Sequence, residues 1–263
     1  MVEHGDAFSD TNALGQLYRG AWLREGIAKL QWLQQTQSDH LATAAQWCAN
    51  AIASDGLVHL FGSGHSRIPV EEMFPRYGSY PGFNPLVELS TTFHTQVVGS
   101  NGQRQAMFIE RIPGFAKAIL DNFQFGQNDV YIGFSVSGSN ALPVEMLQGA
   151  KDRGMKAIAV TAAGAGGAMA ANADLVIDLG IASGDAVVQV SGMEAPVGPI
   201  SSLAYVAIVN EIKVQTAALL TKSGHIPPVL ASASDVGAKR SGELFEAAYR
   251  EHARRASRIL DGA

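Results

Sequence analysis

The chain has 263 residues, 47% of them hydrophobic, enough for one large core or two small ones. Its formal net charge of −5 argues against a nucleic-acid surface, because a polyanion is bound by a basic face. Apolar runs are no longer than strands and globular helices need, so no membrane span is expected.

The opening MVEHGDAFSDTN is polar and acidic and carries no signal-peptide core. Residues 11 to 54 lack proline and repeat apolar side chains at helical spacing: Leu14, Leu17, Tyr18, Trp22, Ile27, Leu30 and Leu33, then Leu41, Ala45 and Ile52. One long or two consecutive amphipathic helices are expected, with Ser38-Asp39 as the cap between them. Trp22, Trp32 and Trp47 mark a face that packs on a partner subunit or on a sheet. The lone Cys48 cannot form an internal disulfide, which fits a reducing cytoplasm.

Leu57 to Phe61 reads as the first strand, ending in Gly62-Ser63-Gly64-His65-Ser66 and a helix from about Arg67 that Pro75 cuts short. Asn84 to Leu89 is a weaker strand, and residues 103 to 124 a helix interrupted at Pro113-Gly114. Asp129 to Phe134 is a third strand, followed by a turn and a helix from about Ala141 to Arg153. Lys156 to Val160, ending at Thr161, is the fourth strand; a small-residue loop with a short helix leads to the fifth, Asp174 to Leu179. Residues 180 to 199 read as irregular, about 200 to 221 as a long apolar helix, and 238 to 260 as a charged helix whose cluster Arg250 to Arg258 is a solvated face. Five strand–helix alternations without a linker predict a single α/β domain, a parallel sheet covered on both faces, with ligands at the carboxyl ends of its strands.

Two turns carry the chemistry. Ser135, Ser137, Ser139 and Asn140 put four hydroxyl or amide side chains into six positions, where one would cap a helix. Free amides, the positive end of the helix dipole and hydroxyl donors make such a turn an anion site, and Gly138 lets the backbone approach closely. Residues 62–66 repeat the device. Their GxG lacks the third glycine of a dinucleotide fingerprint, and Gly133-Phe134-Ser135-Val136-Ser137 lacks the closing glycine of a hydrolase nucleophile elbow.

GSGHS at 62–66 and SVSGSNALPVE at 135–145, with a following strand ending at Thr161, resemble the sugar isomerase (SIS) domain family. EEMFPRYG at 71–78, IERIPGFA at 109–116, VGPIS at 197–201 and PPVLASA at 227–233 extend the likeness to a largely uncharacterised bacterial branch near the phosphoheptose isomerases. The resemblance implies a flavodoxin-like three-layer αβα sandwich with a five-stranded parallel sheet, binding a phosphorylated sugar as a homodimer or homotetramer in the cytoplasm. No cofactor, metal, nucleic acid or membrane partner is expected. Ser135, Ser137, Gly138, Ser139 and Asn140 would hold the phosphate, Ser63, Gly64 and Ser66 would face it, and Thr161 would add a donor. Neither turn holds a Lys or Arg, so neutral donors and the dipole carry the binding.

Aldose–ketose isomerisation needs a base that moves a proton between adjacent carbons. Glu72 is the first candidate by resemblance, with Glu71 behind it. Glu194 in Glu-Ala-Pro-Val-Gly-Pro resembles a segment before the last helix in the isomerase domain of glucosamine-6-phosphate synthase, where the Glu is the base. His65, His94 and His225 are candidates for hydroxyl proton transfer. Phosphoheptose isomerases carry a functional His where this chain reads Val209-Asn210-Glu211, which argues against a heptose substrate and a zinc site. A SIS-type lyase or etherase on an N-acetyl amino-sugar phosphate and a non-catalytic sensor are the rivals. A DNA-binding sensor is excluded by the scarcity of cations in residues 11 to 54.

Overall fold

A computed structural model describes residues 15–92, 99, 102–182 and 184–260. The chain opens with helices α1 (Ala21–Thr36) and α2 (Ser38–Ala53). Their junction is set by Gln37 and not by the expected Ser38-Asp39 cap. Gln37 is buried, and its Oε1 accepts the amide of Asp178, tying the break to the sheet. Strand β1 (Val58–Gly62) leads through a 3-10 turn at Gly64–Arg67 into α3 (Ile68–Met73). Then follow β2 (Phe83–Pro85), the single turn α4 (Leu89–Thr92), α5 (Gly102–Ile109), α6 (Phe115–Leu120), β3 (Val130–Phe134) and α7 (Ala141–Asp152). β4 (Lys156–Thr161), α8 (Ala168–Asn172) and β5 (Leu175–Asp178) complete the sheet.

The five strands are parallel in the order β2-β1-β3-β4-β5. That is the flavodoxin-like order, whose switch point lies between β1 and β3. Each strand alternates its side chains between two helical layers. Val58, Leu60, Val130, Ile132, Phe134, Ile158 and Val160 face α2 and the long helix α9 (Ser201–Lys222). Phe61, Tyr131, Ala157 and Ala159 face the other layer, where α7 supplies Leu142, Met146, Leu147 and Ala150. The three-layer αβα expectation therefore holds.

Helix α9, read in the sequence as a long apolar helix, is by length and composition apolar enough to cross a membrane. Its Ala204, Tyr205, Ile208, Val209, Ile212 and Leu220 are instead buried in the core. An apolar helix covered this way is a core element. The segment read as irregular holds a hairpin, β6 (Ala186–Val188) with β7 (Val197–Pro199). Trp22 pins it: its indole Nε1 donates to Pro199 O at 3.2 Å, and a Cβ on Gly198 (φ 80) would fall 2.5 Å from its ring. Trp32 packs likewise on Gly180, and Lys156 lies over Trp47 at 4.7 Å. The three tryptophans thus serve contacts within the chain. The turn α10 (Ala233–Val236) precedes the terminal helix α11 (Ala238–Leu260). Buried Arg255 clamps α11 to the body by donating to Ile52 O at 3.1 Å and Gly56 O at 2.7 Å.

Candidate active site

At the β1/β3 switch point the two turns line one pocket of about 430 Å³. The β1 turn is compact because Gly62 has no side chain; a Cβ there would meet Ser66 O at 2.1 Å. Ser66 N donates back to Ser63 O at 3.1 Å, which closes the loop and leaves Ser63, Gly64, His65 and Ser66 on the pocket wall. The β3 turn is held by the Gly138 amide, which donates to the buried Ser135 Oγ at 3.2 Å. Gly138 is left-handed (φ 58), and a Cβ would fall 2.7 Å from Thr161 Oγ1 and 3.2 Å from Met169 Cβ. Asn140 occupies the N-cap of α7 without capping it through its side chain. Among the described residues the amides of Ser137, Ser139 and Asn140 donate to no protein acceptor. Uncommitted amides beside a 12-residue helix start are what an anion requires.

A carboxylate that the sequence reading passed over joins the two turns. Glu110 Oε2 accepts from Ser63 Oγ at 2.7 Å, and its Oε1 accepts from Asn140 Nδ2 at 2.7 Å. Its carbonyl also accepts the amide of Leu142 at 2.9 Å, so backbone and side chain together tie the loop after α5 to the start of α7. Glu110 lines the pocket with His65. Its signal was in the sequence: an acid placed at the end of a helix, just before Pro113-Gly114, opposes the helix dipole and needs another reason to be there. The far wall holds Asp185 and Ser201 at the start of α9. Asp185 accepts the amides of Ile200 at 3.1 Å and Ser201 at 2.8 Å, and the Ser201 hydroxyl at 2.6 Å.

A model of the SIS domain matches residues 21–162, a span that contains both turns and Glu110. A UPF0309 protein of Streptomyces griseus subsp. griseus is 31% identical over 248 residues, covering 90% of this chain and 95% of its own. The chain belongs to the SIS-domain family. Another UPF0309 protein, from Geobacillus thermodenitrificans, is 29% identical over 85% of this SIS chain and 91% of its own. Among solved structures, a phosphoheptose isomerase of Neisseria gonorrhoeae superimposes with a TM-score of 0.51 at 19% identity, covering 78% of this chain and 98% of that one. A phosphoheptose isomerase of Francisella tularensis gives 0.50 at 16% identity, over 81% and 98%. These likenesses show a shared fold.

Within this SIS domain not every expected residue reaches the pocket. Ser135, Ser137 and Asn140 line it; Ser139 turns away and donates to Ser137 O at 3.0 Å. Gly138 shapes the turn from behind. Thr161 is buried beneath it, donating to Val136 O at 3.2 Å, and is not among the residues that line the pocket. Glu72 does not enter the pocket. It lies across α3 in a separate groove with Tyr77 and Tyr249, held by Arg76 and by Asn210 Nδ2 at 2.9 Å. Partial burial would raise its carboxyl, but the hydrogen bonds from Asn210 and Arg76 outweigh it and keep Glu72 below the usual carboxylate range. Glu71, the fallback, pairs with Arg67 in that same groove. Glu194 is exposed in the loop of the β6–β7 hairpin, away from both turns. His225 lies in another groove with Asp55 and Arg254. His94 falls outside the described residues.

Proposed function

We propose that this SIS protein binds a phosphorylated sugar between its two turns and interconverts aldose and ketose forms, with Glu110 as the proton-transfer base. One observation carries the reading: a single carboxylate, held by one donor from each turn, faces the same pocket as the uncommitted amides of the β3 turn. The phosphate sits on the amides of Ser137, Ser139 and Asn140 with the Ser135 and Ser137 hydroxyls. The sugar carbons then lie along the wall that carries Glu110, Ser63 and Ser66.

Glu110 removes the proton from C2 of the open-chain aldose, and the C2–H electron pair forms the enediolate double bond. The hydroxyl proton passes from O2 to O1 as the carbonyl moves, and Glu110 returns its proton to C1. Ser63 and Asn140 fix the carboxylate, so no reorganisation is needed at the moment of transfer. His65, in the turn itself, is placed to carry the hydroxyl proton. The reading takes the protein as cytoplasmic, with buried Cys48, whose thiol is pushed up to about 12 by burial, remaining a thiol. It also takes it as a homodimer or homotetramer. The exposed row of Leu23, Ile27 and Leu30 on α1 favours self-association, and the mass in solution decides it. Incubation with sugar monophosphates in D2O tests the chemistry: deuterium incorporated at C1 or C2 supports proton transfer, and binding without incorporation favours a sensor.

A further inference from the structure

The charge around this pocket is one-sided. Its walls carry Glu110 and Asp185, and no Lys or Arg is among the described residues that line it. Residues 93–98, 100, 101 and 183 include no Lys or Arg in the sequence either. The two acids stand on different layers. Glu110 is bonded to Asn140 at the head of α7, on the layer that buries Leu142. Asp185 is bonded to Ser201 at the head of α9, whose Tyr205 packs edge-on against Phe134 at 5.6 Å on the opposite layer.

Of α7 and α9, whose heads both border this pocket, only α7 has an uncommitted start. Asp185 already satisfies the first amides of α9 and neutralises its dipole. The head of α7 has no side-chain cap. A phosphate held at α7 leaves the sugar in the space between the Glu110 wall and the flank held by Asp185, since both line the one pocket. Burial pushes the Tyr205 phenol up, so it stays protonated and adds no charge there.

We propose that Asp185 determines the substrate class: the pocket admits sugars with one phosphate whose other end is neutral or carries an amine, and rejects sugar acids and bisphosphates. The inference rests on the phosphosugar reading above. A second anion on the ligand would meet a carboxylate with no Lys or Arg among the described lining residues to offset it, and at pocket distances that repulsion costs about tenfold or more in affinity.

Calorimetric titration of the wild type and Asp185→Asn with glucitol 6-phosphate, 6-phosphogluconate and glucosamine 6-phosphate tests it. The first two ligands are open chains that differ only in a hydroxymethyl or a carboxylate at C1. The wild type is expected to bind the alcohol and the amine at least about tenfold tighter than the acid. Asp185→Asn is expected to close most of that gap by gaining affinity for the acid. Asparagine keeps an acceptor for the α9 amides, so an unchanged melting temperature shows that the cap is intact. Equal wild-type affinities for alcohol and acid, or a gap that Asp185→Asn leaves unchanged, would overturn the role of Asp185. Failure of every monophosphate to bind would instead overturn the phosphosugar reading beneath it.

Discussion

Replacing Gly138 by alanine tests how the phosphate turn is built. The residue sits at φ 58, where an L side chain costs about 1–2 kcal/mol. The new Cβ would also fall 2.7 Å from Thr161 Oγ1, with Met169 Cβ behind it at 3.2 Å. Moving the Thr161 hydroxyl aside breaks its bond to Val136 O, worth about 1 kcal/mol. The sum is about 2–3 kcal/mol of lost stability, read as a lower urea midpoint at constant slope. Thr161→Ala removes the atom that is struck. The double variant Gly138→Ala/Thr161→Ala should therefore be less damaged than the sum of the single changes, by about 1 kcal/mol. Additive single effects, or a Gly138→Ala protein as stable as the wild type, would show that the turn is not pressed against β4 as described.

Two further outcomes follow from the same geometry. Ser137→Ala removes a donor to a doubly charged group and should weaken sugar-phosphate binding by about 1–2 kcal/mol in calorimetry, with the fold intact; unchanged affinity would put the anion elsewhere. At the amino end of the sheet, Asp129 is buried, which alone would raise its carboxyl, but bonds from His59, Gly126 and Leu57 outweigh burial and hold it below the usual range. A depressed carboxyl contributes stability above its unfolded pKa, and that contribution is lost as pH falls through the folded one. Asp129→Asn should flatten the acid limb of the stability–pH curve; an unaltered acid limb would remove Asp129 from it.

What the sequence disclosed and what it hid divide along physical lines. The β1 and β3 turns were readable because a buried apolar strand running into Gly and Ser is a local signal. The parallel sheet followed from alternation with helices, and its flavodoxin-like arrangement from the family resemblance. Strand β2 starts earlier and is shorter than read: it pairs with β1 over Phe83 to Pro85, and on this edge Pro85 costs no ladder bond because the Leu86 amide donates to Leu60 O at 2.8 Å. The β6–β7 hairpin was invisible because its three-residue strands carry no period and are pinned by Trp22, distant in sequence. A hydroxyl that ends a strand reads alike as a support or a donor, and the burial of Thr161 is what places it beneath the β3 turn. Glu72 stood out by its resemblance to the family's Glu and its place just after GSGHS, and Glu110 drew no notice because only the fold brings it to both turns. Glu110 follows that motif by some 45 residues, yet it is the carboxylate the two turns hold.

The most direct measurement is deuterium exchange at C1 and C2 of a bound sugar monophosphate, followed by NMR in D2O for the wild type, Glu110→Gln and Glu72→Gln. The account predicts that Glu110→Gln binds the sugar and exchanges no deuterium while Glu72→Gln still exchanges. Exchange that survives in Glu110→Gln, or that disappears only in Glu72→Gln, would contradict it.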